Sequence, residues 1–328
     1  SFVCKLNNDG NSLDYSTFIG GEKLDFSNDI EVDLDGNVYI TGHTNSAMHF
    51  PTTEGANDTT HNGGNFDAFA CKIDPNGSSL IYSTFLGGFH WDMGFGIALD
   101  TDDNLFVTGF TMSMDFPTTA HVFDRSFNGG EDVFVSKINK DGSELLFSTY
   151  IGGSLSDEGN EIVTDQWSCP YIIGYTGSQS FPTTEGANDT EINGTDVFVC
   201  KMDSYGSDLI YSTFIGGNGS EAGLDIELDK NGNVYSTGNS FSDDFPITPG
   251  AYNRERKGIS NSFIFKLNRN GSDLIYSTLI GGRWSDHGEG ITIDENGRIY
   301  ITGFTNSEDF PTTEDAFDTS YNCDEYYA

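Results

Sequence analysis

Short runs of apolar residues follow one another along the whole chain, each bounded by Gly, Asn, Asp or Pro. The runs are rich in Ile, Val, Phe, Tyr and Thr, which favour pleated strands, and no segment shows the periodicity of an amphipathic helix. No run reaches the roughly 18 apolar residues that a membrane-spanning helix needs. The pattern therefore predicts an all-β protein built of short strands.

The strand pattern repeats five times. Copies of a Tyr-Ser-Thr-Phe-Ile-Gly-Gly segment end at Gly21, Gly88, Gly153, Gly217 and Gly282. Successive copies are 67, 65, 64 and 65 residues apart, and each interval holds four short strands separated by turns and a Phe-Pro loop. Four antiparallel strands per repeat are typical of a β-propeller blade, because stacked neighbouring sheets bury faces that one sheet alone would expose.

We predict that residues 1–328 form one five-bladed β-propeller domain. The predicted blades are 22–88, 89–153, 154–217, 218–282, and a last blade of 283–328 plus 1–21. The N-terminal segment has only the third and fourth strands of a blade, and the C-terminal segment has only the first and second. The N-terminal strands are expected to complete the last blade, because pairing of the two ends removes free sheet edges. Alternatively, the same strands are donated to the next molecule, which would give a head-to-tail filament.

The repeated motifs resemble a known family. Tyr-Ser-Thr-x-(Ile/Leu)-Gly-Gly, Gly-Asn-Val-Tyr-Ile-Thr-Gly-x-Thr, Asp-Phe-Pro-Thr-Thr and Asp-x-Phe-Val-x-Lys are similar to the SBBP-type β-propeller repeat of secreted and cell-surface proteins in bacteria and archaea. The resemblance covers essentially the whole chain, although the family name implies seven blades and this chain has five. It implies a propeller fold and an extracellular or cell-surface setting, and it implies no defined catalytic residues.

The charge balance narrows the choice of partners. The chain has 15 Lys plus Arg against 51 Asp plus Glu, a formal net charge of −36. Such a chain cannot neutralise phosphates, so nucleic acid and anionic membrane surfaces are excluded as partners. Aromatic residues make up 13% of the chain and supply the core that a disordered acidic chain lacks.

An acid follows each Gly-Gly pair by four residues. These acids are Asp25, Asp92, Asp157, Glu221 and Asp286. The first strand of each blade lines the channel of a propeller, so the five carboxylates are expected to form a ring near its mouth. Such a ring could bind a cation, and Ca²⁺ suits oxygen-only ligands. The alternative is that each acid caps backbone N–H groups within its own blade.

A second set of acids precedes the turn after each first strand. Its members are Asp33, Asp100, Asp165, Asp229 and Asp294. We expect these side chains to bind the backbone of tight hairpin turns. The six histidines show no metal-ligand spacing, and the sequence has neither a nucleophile elbow nor a phosphate-binding loop before a helix, so we expect no enzymatic activity.

The cysteines and sequons bear on the setting. Cys169 begins the second strand of a blade whose third strand ends at Cys200, so antiparallel pairing predicts a Cys169–Cys200 disulfide, and Cys323 is expected to be unpaired or intermolecular. The start at Ser1, without Met or an apolar leader, fits a mature secreted chain. Six sequons are expected to be glycosylated if the chain is extracellular, or else are ordinary turns: Asn57, Asn76, Asn188, Asn193, Asn218 and Asn270.

Two functions fit these features. The first is a non-enzymatic extracellular or cell-surface module for adhesion or assembly, whose partners are copies of itself, other surface proteins or glycans. The second is a lectin-like or glycan-active propeller with its site at the channel mouth. Trp91 and Trp284 lie beside the acids after Gly-Gly and could stack on a sugar ring, or they pack between blades.

Overall fold

The computed structural model describes residues 1–322, and that part of the chain contains twenty strands and no helix, hence none that could cross a membrane. The prediction of an all-β protein is therefore confirmed. The strands are β1 (Phe2–Leu6), β2 (Leu13–Phe18), β3 (Asp25–Val32), β4 (Val38–Thr44), β5 (Asp67–Ile73), β6 (Leu80–Leu86), β7 (Asp92–Leu99), β8 (Leu105–Thr111), β9 (Asp132–Ile138) and β10 (Leu145–Ile151). They continue with β11 (Asp157–Thr164), β12 (Pro170–Thr176), β13 (Asp196–Met202), β14 (Leu209–Ile215), β15 (Glu221–Leu228), β16 (Val234–Ser240), β17 (Asn261–Leu267), β18 (Leu274–Ile280), β19 (Asp286–Ile293) and β20 (Ile299–Thr305).

Four sheets have four antiparallel strands each, in chain order, as the blade pattern predicts. They are β3–β6, β7–β10, β11–β14 and β15–β18. In β7–β10 the first strand carries an irregularity between Gly94 and Gly96, and Gly109 of the second strand lies against the carbonyl group of Met93. No side chain fits at Gly109, which explains why a glycine recurs at this position in every second strand: Gly42, Gly109, Gly174, Gly238 and Gly303.

The chain divides into two compact units. One comprises Ser1–Glu185 and Phe198–Ser212, and the other comprises Gly186–Val197 and Thr213–Ala328. In the first unit, aromatic residues dominate the core, as where the Phe-Pro loop places Phe116 against Phe134 with 4.7 Å between ring centroids. In the second unit, Tyr235, Ile264 and Ile291 form the corresponding buried cluster.

Two hairpins remain as two-stranded sheets, β1–β2 and β19–β20. The first has the motifs of third and fourth strands, and the second has those of first and second strands. The first hairpin belongs to one compact unit and the second to the other, so the completion of the last blade by the N-terminal strands stays a prediction. Many of their apolar side chains are exposed to solvent.

The predicted Cys169–Cys200 disulfide is wrong, because both residues are free thiols in the structure. Cys200 lies in the middle of β13, where its side chain contacts the backbone of Ile172. Cys169 precedes β12 and is three residues from Ile172, which separates the two cysteines along the strand by roughly 10 Å, too far for a disulfide. Burial raises the pKa of the Cys200 thiol, so this residue serves in packing. Cys323 lies outside the described residues.

Candidate functional site

Each complete blade has an acid at both ends of its first strand. In β7, Asp92 opens the strand and Asp100 follows its last residue, Leu99. We call the surroundings of the Asp100-type acid the turn end. We call the surroundings of the Asp92-type acid, which include the preceding Gly-Gly pair, the acid corner.

At the turn end, the acid organises the hairpin, as predicted. Asp100 Oδ1 accepts hydrogen bonds from the backbone N–H groups of Asp102 at 2.9 Å and Asn104 at 3.0 Å. Its second oxygen faces Lys137 of β9, whose Nζ is 2.8 Å from Asp100 Oδ2 and 4.8 Å from the centroid of the Phe106 ring. Burial tends to raise the pKa of Asp100, but the hydrogen bonds from Lys137 and Asn104 outweigh it and lower that pKa.

The same ion pair occurs in all four complete blades. The pairs are Lys72–Asp33 at 3.3 Å, Lys137–Asp100 at 2.8 Å, Lys201–Asp165 at 2.9 Å and Lys266–Asp229 at 3.0 Å. Sequence analysis missed this pairing, although the Lys that ends every Asp-x-Phe-Val-x-Lys strand was a signal for it. The four lysines belong to the interior of the blades and are unavailable to an external anion.

At the acid corner, the acid after Gly-Gly is held by its own repeat. Asp92 Oδ2 accepts hydrogen bonds from the Gly88 N–H group at 2.7 Å and the Ser113 hydroxyl at 2.9 Å, and Asp92 Oδ1 accepts one from the Thr111 hydroxyl. Asp157, Glu221 and Asp286 make the corresponding bonds. Asp25, which is less buried, accepts the Gly21 N–H group at 2.9 Å. The local-cap alternative thus describes these acids.

The expected ring of five carboxylates does not appear as a common metal site. Within residues 1–322, no three His, Cys, Asp or Glu side chains are grouped so that they could hold a metal ion together. The physical reason is that Gly, Thr and Ser donors of each repeat draw the acid toward the corner of its own blade.

Three of these corners hold a second acid that the sequence alone did not reveal. Asp67 opens β5, 25 residues before Asp92, and is fully buried. Its Oδ2 accepts the Asn62 N–H group at 2.6 Å, whereas its Oδ1 has no hydrogen-bond partner. A Cβ atom placed on Gly87 would lie 2.8 Å from Asp67 Cγ and 3.0 Å from Asp92 Oδ2, so both carboxyl groups converge on this glycine.

The arrangement recurs where Asp132 meets Asp157 and where Asp196 meets Glu221. Asp132 and Asp196 are also buried, and each likewise has an Oδ1 atom without a hydrogen-bond partner. Burial, reinforced by the neighbouring acids, raises the pKa of Asp67 to about 8 and the pKa values of Asp132 and Asp196 to about 7. At neutral pH, a proton therefore occupies the Asp67 carboxyl group and partly occupies those of Asp132 and Asp196, unless a cation takes its place.

The fourth corner differs because Asn261 replaces the second acid. Its Nδ2 donates to the carbonyl oxygens of Ser260 at 2.9 Å and Gly282 at 3.3 Å and to Asp286 Oδ2 at 3.3 Å. Its Oδ1 accepts the Lys257 N–H group at 2.9 Å. All polar atoms of the Asn261 side chain are therefore satisfied, in contrast to those of Asp67.

The remaining predicted features lie on the surface. Trp91 is 40% exposed and Trp284 is 50% exposed, and Trp91 makes an edge contact with Phe66 at a centroid distance of 6.1 Å. Five sequon asparagines are exposed and one, Asn188, is half-buried. Neither aromatic residue faces a carboxylate pair that is free of local hydrogen bonds.

Solved structures show distant likenesses to this chain. A protein of unknown function from Dyadobacter fermentans DSM 18053 is 11% identical, with a TM-score of 0.50 over 87% of this chain and 77% of that one. The Dos1 propeller is 12% identical, with a TM-score of 0.43 over 91% of this chain and 55% of that one. A glucose dehydrogenase is 10% identical, with a TM-score of 0.43 over 93% of this chain and 88% of that one. These likenesses concern the fold alone.

Comparison at the level of sequence is more specific. No curated protein matches the chain. The family model of SBBP, the beta-propeller repeat, matches residues 14–50 and 275–311. These segments include β3–β4 and β19–β20 with the Gly-Gly corner before each. Residues 14–50 and 275–311 thus match the SBBP β-propeller repeat, as the motifs of these segments predicted.

Proposed function

We propose that the chain is a non-enzymatic extracellular or cell-surface β-propeller that joins copies of itself head to tail through half-blades. The exposure of the two hairpins carries this proposal. Phe18 of β2 is 90% exposed, whereas its counterpart Phe85 is 2% exposed. Tyr300 of β20 is 53% exposed, whereas its counterpart Tyr39 is 0% exposed. Each hairpin therefore presents a surface that the same sequence motif buries in a complete blade.

The two hairpins are chemically complementary. In β15–β18, second and third strands pair so that Tyr235 lies opposite Lys266, which also binds Asp229. The same register between β20 of one copy and β1 of another would place Lys5 opposite Tyr300 and beside Asp294. Among the hydrogen bonds of the described residues, the Lys5 side chain makes only one, which it donates to the Pro75 carbonyl oxygen at 3.4 Å. Joining two copies would therefore create a fifth Lys–Asp pair of the kind present in every complete blade.

A cavity in the second unit fits the turn of the incoming hairpin. It has a volume of about 340 Å³ and is lined by Ala251, Tyr252, Ile264, Tyr276, Ile299 and Ile301, among others. Within the first unit, Gly142 in the turn of one blade packs on Tyr82 of the preceding blade. By repeat position, Tyr276 corresponds to Tyr82 and Gly10 of the N-terminal hairpin corresponds to Gly142. The cavity is therefore shaped for the Gly10 turn of a second copy.

Charge reversal of the new ion pair tests the proposal. We expect the wild type to form concentration-dependent oligomers at micromolar concentration in moderate salt, measured by light scattering after size exclusion. Lys5→Glu and Asp294→Lys should each weaken association at least about tenfold, or ~1.4 kcal/mol. Mixing the two variants should restore association, because each reversed end then meets a complementary one. Lys23→Glu, an exposed change outside the hairpins, is the control.

A wild type that stays monomeric at all concentrations would overturn the proposal. In particular, each reversal could destabilise a monomer while the double variant Lys5→Glu/Asp294→Lys restores its stability. That result would show that the chain closes its own last blade. A polymer that both reversals leave unchanged would place the interface elsewhere.

Exposed tryptophans support a second candidate, a lectin-like function, since aromatic rings beside polar groups stack on sugars. Trp91 and Trp284 both lie two or three residues after a Gly-Gly pair and are at least 40% exposed. A glycan array combined with a reducing-sugar assay tests this candidate. Binding that Trp91→Ala or Trp284→Ala abolishes would support it, and an empty array would dismiss it.

A further inference from the structure

We propose that three acid corners each bind one hard divalent cation, Ca²⁺, between two carboxyl groups. The pairs are Asp67 with Asp92, Asp132 with Asp157, and Asp196 with Glu221. This inference is independent of the assembly proposed above, because each of the three corners lies between two complete blades. It replaces the expected ring across five blades with separate sites where one blade meets the next.

The Asn261 side chain has a hydrogen-bond donor where the second acid of the other corners has only an oxygen. The Asn261 amide group donates to two carbonyl oxygens and to Asp286 Oδ2, which together form a small cage of acceptors. Asp67 holds the position equivalent to that of Asn261. The backbone around the two residues is also equivalent: the Asp92 N–H group donates to the Phe66 carbonyl oxygen, and the Asp286 N–H group donates to the Ser260 carbonyl oxygen. A carboxylate oxygen that faces such a cage meets only lone pairs, so either a proton or a cation must lie between them.

The unpartnered oxygens point to that charge. Asp67, Asp132 and Asp196 are at most 1% exposed, and one oxygen of each has no hydrogen-bond donor. With the acid after Gly-Gly and the two backbone carbonyl groups, each corner offers four oxygens to a cation. Carboxylate and carbonyl oxygens without nitrogen or sulfur are the ligands that Ca²⁺ prefers.

The distribution of basic residues supports an external cation. Arg283 Nη2 lies 3.2 Å from Glu308, Arg283 Nε lies 3.9 Å from Asp309, and the Arg283 N–H group, with Lys257 nearby, lowers the pKa of Asp309. The corner with Asn261 thus has bases of its own and one carboxyl group fewer. In the three acidic corners, as far as the chain is described, no Lys or Arg forms an ion pair with the buried acids.

Further acids surround each site and would attract the cation. Asp58 and Asp115 flank Asp67, Asp124 flanks Asp132, and the third corner has the same pattern with Asp189 and Asp244 around Asp196. His61 Nδ1 is 3.8 Å from Asp67 Oδ2, and burial lowers the pKa of His61, so it does not neutralise the first corner.

A cavity beside one of the corners offers a source of water for the coordination shell of a bound cation. A polar cavity of about 340 Å³ adjoins the second corner and is lined by Asp124, Asn128, Gly152, Gly153, Ser180 and others. Ser180 stands at the repeat position that Asp115 occupies in the first corner. Ca²⁺ takes six to eight ligands, so two or more waters would accompany roughly four protein oxygens.

Stoichiometry provides the test. Chelator-treated protein is dialysed against CaCl₂ at neutral pH, and bound calcium is counted per chain. We expect three equivalents for the wild type and two for each of Asp67→Asn, Asp132→Asn and Asp196→Asn, which copy the natural Asn261 corner. Asp141→Asn, at an exposed turn, should keep three. Thermal unfolding should show that CaCl₂ stabilises the wild type and that each Asn variant loses part of that gain.

Two results would overturn the inference. One is binding of less than one equivalent of calcium, with an unfolding temperature that neither EDTA nor CaCl₂ changes, which would assign a shared proton to each corner. The other is unchanged stoichiometry in all three Asn variants, which would place the cations elsewhere. If a variant fails to fold, the remaining single variants still decide the matter, because each corner contributes its own equivalent.

Discussion

The two ends of the first strand in each blade hold buried carboxyl groups in different surroundings. At the turn end, Asp100 is buried next to Lys137 and its pKa is lowered by that lysine and by turn N–H groups. At the acid corner, Asp67 is buried next to Asp92 and its pKa is raised to about 8. One end carries its own counter-charge in the sequence, whereas the other leaves a negative charge for the solution to neutralise.

Raising the pH in the presence of EDTA is expected to have the largest effect, and it acts on the acid corners. In the folded chain, the pKa of Asp67 is about 8 and those of Asp132 and Asp196 are about 7, each against an ordinary value of 3.8. These groups therefore favour the folded state fully below about pH 4 and lose that effect as the pH rises toward 8, by on the order of several kcal/mol. Thermal unfolding at successive pH values measures the slope.

The acids at the turn ends make the stability depend on pH in the opposite direction. The pKa of Asp229 is about 2, so its contribution is present above its ordinary value of 3.8 and is lost only as the pH falls toward 2. Excess CaCl₂ should flatten the slope between about pH 5 and 8 by occupying the corners. A metal-free protein whose stability rises over that range would contradict this account of the corners.

Lys137→Met removes the counter-charge of a turn end and leaves Asp100 buried without a cation. Breaking a buried ion pair in this way costs about 3–5 kcal/mol in the free energy of unfolding. Denaturant unfolding measures the change, and Lys140→Met, at an exposed position in the following turn, should change it little. The double variant Lys137→Met/Asp100→Asn should recover part of the loss, because Asn carries no charge and keeps an oxygen that accepts the turn N–H groups of Asp102 and Asn104. A single variant as stable as the wild type would show that water reaches Asp100.

Asn261→Asp converts the fourth corner into the type found in the other three. With EDTA present, we expect the free energy of unfolding to fall by about 1–3 kcal/mol. The three hydrogen bonds from the amide group disappear, and the buried oxygen that replaces the amide nitrogen has no hydrogen-bond donor. With CaCl₂ present, the variant should recover stability and bind a fourth equivalent of calcium. Asn296→Asp, in an exposed turn, serves as the control. A variant indifferent to EDTA and CaCl₂ would separate the fourth corner from the proposed site type.

Particular residues show how far the sequence could predict this site. The Asp100-type acids were expected to organise hairpin turns, and they do, since acid and turn are adjacent in sequence. The sequence did not reveal that Lys137 pairs with Asp100 or that Asp67 lies next to Asp92. Each contact depends on which strands are neighbours and on their register. Cys169 and Cys200 were paired wrongly for the same reason: strand order was evident, but register was not.

The sequence by itself determined the class of fold, the number of repeats and the order of strands within each blade, because strand propensity and turn residues act over a few neighbours and recur every 64–67 residues. It also placed an acid at both ends of each first strand. Only the tertiary structure decided which acids receive a lysine and which face another acid, since this depends on contacts between strands 25 to 37 residues apart. The partner that each buried acid meets then gives chemically identical carboxyl groups opposite pKa shifts, a distinction that composition and net charge cannot express.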